Sequence, residues 1–188
     1  DHVARIAPEY IWFRKGICWT LISSNKLHGF RLLDDNSTFN LAAPSVFFNN
    51  DRMMFYILGY LNTKFSQEII ALLNPTLNTN ISDITAQPLY YGKSPEQEDM
   101  VINLVSQNIA LSKADWDSFE TSWDFTRHPF IKAITKYPNR MDIGNIYLAE
   151  CYDIWAGECE ERFEKLKANE EELNRIFIDI YGLQDELT

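Results

Sequence analysis

Apolar positions between Tyr10 and Phe48 follow a strand pattern, and from Met54 onward they follow a helical one. Ile17 to Ser23 is apolar on both faces and rich in β-branched and aromatic residues, which predicts a strand covered on both sides. The polar stretch Ser23 to Gly29 then leads into a short run, Phe30 to Leu33, and Asp34 to Ser37 has the composition of a turn. Thr38 to Phe48 predicts a further strand pair interrupted at Pro44, since proline donates no ladder hydrogen bond and favours an edge or a bend. Asn49, Asn50 and Asp51 offer a cap to the helix that follows, in which Met54, Ile57, Leu58, Leu61, Phe65, Ile69, Leu72 and Leu73 recur every three or four residues. That helix should be jogged at Asn62-Thr63 and stop at Asn74, because Pro75 disfavours helical geometry in the residue before it. Ile81 to Tyr91 reads as short extended structure.

A second helical region begins at Ser94. Ser94 can cap, Pro95 suits the first helical position, and Gln97 completes a capping box. Val101, Leu104, Val105, Asn108 and Leu111 share one face. Trp116, Phe119, Trp123 and Phe125 form an aromatic cluster in an acidic segment and are most simply core. From Asn145 the pattern is helical almost to the end, with an internal capping box at Asn169 and Glu172 that allows a break there. Tyr152, Cys159, Leu166, Leu173 and Ile180 fall at steps of seven, which suits either a packed bundle helix or the seam of a coiled coil. The expected fold is α+β: a mixed α/β domain with a central helix over residues 1–93, then an acidic all-helical bundle or spacer over 94–188 with a long carboxy-terminal helix.

Composition adds limits. With 46% hydrophobic and 14% aromatic residues the chain can fill a core and does not read as disordered. It starts at Asp1 without methionine and enters a strand pattern at once, which reads as a piece of a larger protein. No signal peptide is recognisable and charges interrupt every apolar run, so no membrane partner and a cytoplasmic location are expected. Cys18, Cys151 and Cys159 have no CxxC spacing and read as reduced thiols, and His2, His28 and His128 are too scattered for a metal site.

The net charge of −10 argues against nucleic acid, but its distribution softens that. Residues 1–93 carry 8 basic against 7 acidic side chains, a balance of +1, whereas 94–188 carry 9 against 20, a balance of −11. The near-neutral half suits a base-reading contact and rules out a strongly basic clamp. Within it Ser23, Ser24, Asn25 and Lys26, with Arg31, form the best cluster of groups able to read base edges; Arg52 and Lys64 are further candidates, as are Arg14 and Lys15.

No catalytic constellation is present. Asn74 to Leu77 (NPTL) shares Asn-Pro with the Asn-Pro-Pro-aromatic loop of amino-methyltransferases but lacks the second proline and the aromatic that stacks on a flipped base. It is fully explained as a helix stop and a turn. No glycine-rich cofactor loop precedes it, and no nucleophile or nuclease triplet is found.

The succession Phe13 to Ser24 (FRKGICWTLISS), Ile57 to Lys64 (ILGYLNTK), Leu72 to Ile84 (LLNPTLNTNISDI) and Glu96 to Val105 resembles a target recognition domain running into its spacer helix, as in type I restriction specificity subunits and fused methyltransferases. Asp115 to Phe125 (DWDSFETSWDF) and Lys165 to Leu187 resemble, more narrowly, BREX-type adenine-specific DNA methyltransferases of phage defence. The resemblance implies a non-catalytic fragment that selects double-stranded DNA by sequence. A separate catalytic domain of the parent chain would use S-adenosylmethionine to methylate adenine N6. The acidic helices would serve spacing, docking on that domain or binding a partner subunit. A helical protein-interaction module is the competing reading.

Overall fold

The computed structural model describes residues 7–23, 28–136 and 148–187. Ser24, Asn25, Lys26 and the residues around Asn145 lie outside them. The chain forms two compact units, one of Asp1–Val105 with Glu172–Thr188 and one of Ser106–Glu171.

In the first unit a three-stranded antiparallel sheet is built from β1 (Gly16–Cys18), β2 (Arg31–Leu33) and β3 (Ser45–Phe47), in the order β2-β1-β3. Ile17 at its centre pairs with Leu32 on one side and Val46 on the other, and is fully buried. The strands are shorter than the hydrophobic pattern predicts. Past Cys18 the Trp19 and Leu21 N–H groups still donate to the Pro44 and Ala42 carbonyls, but bends replace a regular ladder. Of the strand pair expected over Thr38 to Phe48 only β3 forms, because the stretch before Pro44 is taken up by an Asn40 turn whose side chain accepts from Ala42 N–H.

Helices α1 (Asp51–Leu61) and α2 (Lys64–Leu73) are separated by the expected jog. Asn50 caps the first by accepting from the Arg52 N–H at 2.9 Å, and Thr63 caps the second through Ser66 N–H. Ile81–Thr85, expected to be extended, is a short helix, α3. The Asp83 carboxylate accepts the Asn80 N–H at 2.8 Å, half of a capping box whose acidic member is Asp rather than Glu. The core of this unit also takes in Val101 and Val105 of α4 (Pro95–Trp116) and Leu173, Ile176 and Phe177 of α6 (Leu148–Tyr181). A methyl group on Gly59 would lie 2.8 Å from a Val105 methyl, so only glycine lets α1 pack this close.

The second unit holds the rest of α4 and α6 with α5 (Pro129–Lys136). Asn169 does not break α6. It is buried, and its amide donates to Asn108 Oδ1 at 2.8 Å and to Gln107 Oε1. The aromatic cluster at and after the end of α4 is not core as expected: Trp116, Phe119 and Trp123 are exposed, Trp123 fully so, and Phe125 is part-buried. Here the buried residues are small hydroxyls. Ser118 donates to Asp115 O and Ser122 to the Asp117 carboxylate, both at 2.6 Å, tightening consecutive turns that push the rings outward. The seven-residue stripe is also uneven, with Leu173 buried, Leu166 part-buried and Tyr152 exposed.

Candidate nucleic-acid interface

The described residues on either side of the polar stretch between β1 and β2 are each tied to the fold. On the outgoing side, Trp19 is buried, its indole N–H donating to the Thr79 carbonyl at 2.8 Å and its ring tilted against Phe30. Leu21 O accepts from Thr79 N–H at 2.8 Å, and Ser23 N–H donates to Leu77 O at 3.0 Å. Ile22 and Asn78 thereby form an isolated antiparallel bridge. Ser23, the first polar residue of the stretch, is pinned to the Leu77–Thr79 turn.

On the returning side two side-chain amides do the holding. Gln67 accepts from the His28 N–H at 2.9 Å and donates to the His28 carbonyl at 3.0 Å. Asn62 does the same for Phe30, with both contacts at 3.1 Å. The His28 ring lies 2.8 Å from the Thr79 hydroxyl. Burial holds the imidazole below its ordinary pKa, and the nearby Asp83 carboxylate opposes that in part.

The turn beneath is itself held together by side-chain hydrogen bonds. Asn74 accepts from the Thr76 N–H and hydroxyl and donates to Asn78 O and the Asp83 carboxylate. This confirms the NPTL segment as a helix stop and turn, with Leu77 exposed at its tip.

The cations divide by environment. Arg31 is exposed on β2, opposite Cys18, one residue after the Asn62-held Phe30. Lys64 is exposed at the start of α2, two residues after Asn62, with its N–H donating to Asn174 at 2.8 Å. Arg31 and Lys64 therefore flank one junction. Arg52 is engaged elsewhere, by Asp99 and by Glu98 at 3.5 Å. Arg14 donates to Phe48 O and Asn49 and lies over the Phe47 ring, while Lys15 is exposed. Sequence reasoning assigned no site role to Asn62, Gln67 or Trp19, and reached Thr79 only as part of the Asn78 to Asn80 turn. Only the Asn62-Thr63 jog marked their neighbourhood, since a single buried glutamine leaves no periodic signal.

Among the described residues no group of three or more His, Cys, Asp or Glu side chains is arranged to hold a metal, and no helix is long and apolar enough to cross a membrane.

No family model matches the chain. It is 37% identical over 176 residues to the adenine-specific methyltransferase PglX of Lacticaseibacillus casei (strain Zhang), a match covering 94% of this chain and 14% of that protein. It is 29% identical over 187 residues to the adenine-specific methyltransferase BrxX of Escherichia coli O9:H4 (strain HS), covering 98% of this chain and again 14% of the relative. The chain thus spans about one seventh of the length of the curated relatives it matches.

Proposed function

Since the chain is homologous along nearly its whole length to one segment of BREX-type adenine-specific methyltransferases, we propose that it is the part of such an enzyme that chooses the DNA sequence. The observation that carries this reading is the polar segment Ser23 to Gly29, held at both roots and followed by the exposed Arg31. Short polar side chains together with a guanidinium are the groups that base-edge readout in the major groove uses. Ser23, Ser24, Asn25, Lys26 and Arg31 form the reading set, and Lys64 supplies a phosphate contact. Arg52, committed to Glu98 and Asp99, contributes least.

The chain transfers no methyl group of its own; S-adenosylmethionine and the adenine-N6 chemistry belong to a separate catalytic domain of the full-length enzyme, in the cytoplasm. Residues 1–93 read DNA and the acidic 94–188 serve as spacer and docking helices. The test is replacement of Arg31 or Lys26 by alanine in the full-length enzyme, with the pure chain plus labelled S-adenosylmethionine as the inactive control. A base-edge contact lowers discrimination by about 1–3 kcal/mol at one position of the site. A phosphate contact weakens binding to all sequences and reduces the salt slope by about one. Unchanged methylation pattern and affinity in both variants would remove the segment from the interface.

One observation favours a second reading. Trp116, Phe119, Trp123, Tyr152 and Phe163 are exposed on the acidic helical unit, a composition suited to a protein partner rather than to phosphates. Retained partner-subunit binding by a variant that has lost DNA selection would assign that role to this unit.

A further inference from the structure

We propose that Asn62 and Gln67 are positioning residues for Arg31, two amides that fix the His28 and Phe30 backbone on which it is mounted. The inference rests on the DNA-recognition reading above. Each amide gives its target residue what a neighbouring strand would give, an acceptor for the N–H and a donor for the carbonyl. His28 and Phe30 are two apart, so in extended chain their backbone groups face the same side. Gly29 between them is exposed, and a methyl there would meet nothing within 4 Å. The held strip therefore has its inner edge on the protein and an open face at Gly29.

The second hydrogen of each amide is also used. Asn62 donates to Leu58 O at 3.0 Å and Gln67 to Leu61 O at 2.9 Å, carbonyls at the end of α1 that have no helical partner. Each side chain thus joins a helix terminus to the segment. In one continuous helix, positions five apart point roughly 140° away from each other and could not serve a single strip. The break at Asn62-Thr63, where Thr63 is extended with ψ 154°, removes that constraint. The jog is thereby explained as the device that brings both amides to one edge.

The experiment uses the full-length enzyme carrying Asn62→Ala or Gln67→Met. Each variant loses hydrogen bonds to part-buried backbone, so discrimination is read at a temperature well below that variant's own unfolding midpoint. Hydrogen exchange should quicken at the Phe30 amide in the first and the His28 amide in the second. Discrimination between the target and a one-base variant should fall about three- to tenfold, the worth of one or two hydrogen bonds, with the salt slope unchanged. Faster exchange with unchanged discrimination would show that the amides only hold the fold. Arg31→Ala and Lys26→Ala run alongside. If these lower discrimination and the amide variants do not, the positioning proposal alone fails. If none of the four variants alters it, the DNA-recognition reading fails with it.

Discussion

His28 has its backbone held by Gln67 and its ring against Thr79. Because burial lowers its pKa from the ordinary 6.5, the unfolded chain binds a proton more readily than the folded one. The stability contributed is fully present above pH 6.5 and is lost as pH falls toward the lowered folded value. Asp83 tempers the effect and Thr79 is neutral, so the slope should be shallow but of fixed sign. Denaturant midpoints between pH 8 and 5 should fall toward the acid side, and His28→Gln should flatten that fall. An equal slope in the variant would assign it to other groups. This site was half legible in the sequence: the polar stretch and Arg31 stand out between two apolar runs, whereas the amides that hold them lie more than thirty residues away.

The helices show which local rules suffice. Caps at Asn50 and Ser94 were readable because each supplies an oxygen to an N–H two or three residues on, a purely local bond, whereas Thr63, read only as part of the jog, caps α2 in the same way. The α3 helix escaped notice because its cap uses Asp83 and its five residues are too few for a period. The heptad on α6 misled in part, since a regular sequence repeat does not require a constant partner. Leu166 and Leu173 occupy the same stripe, yet Leu173 is 5% exposed and would lie 3.7 Å from a methyl on Gly59, while Leu166 is part-buried. Leu173→Ala should therefore cost about 2–5 kcal/mol in unfolding free energy and Leu166→Ala well under half as much. Equal losses would mean that the stripe is packed evenly along its length.

For the molecule as a whole, the consequential feature is that the sheet-bearing unit is discontinuous in sequence, with residues 172–188 completing the fold of 1–105. The change of charge at Ser94 and the helix that starts there are visible along the chain, but a pairing of α1 with residues more than a hundred positions later is not. Phe177 is fully buried, its ring 5.4 Å from Tyr56 and 5.6 Å from Tyr60, and Tyr181 stacks on Tyr60 at 5.8 Å. The Tyr181 hydroxyl donates to Pro88 O at 2.6 Å and accepts from Tyr90 N–H, and Lys93 pairs with Asp179 at 2.7 Å, so the link between the sheet-bearing half and α4 is fastened to the same turns of α6. Burial raises the Tyr56 and Tyr60 phenol pKa values, as expected of rings enclosed on several sides. Leu173, Ile176, Phe177 and Ile178 are buried apolar side chains each worth about 1.5–3 kcal/mol, together comparable with the roughly 5–15 kcal/mol net stability of an ordinary domain. A chain ending at residue 171 should consequently keep much of its far-ultraviolet helix signal, lose the near-ultraviolet signal of the packed tyrosines, and bind a hydrophobic dye. The full chain should show none of that dye binding and should unfold cooperatively. If the shortened chain unfolds at the same midpoint with its tyrosine signal intact, α1 and the sheet hold their core without the last turns of α6, and the proposed DNA-reading face rests on residues 1–105 alone.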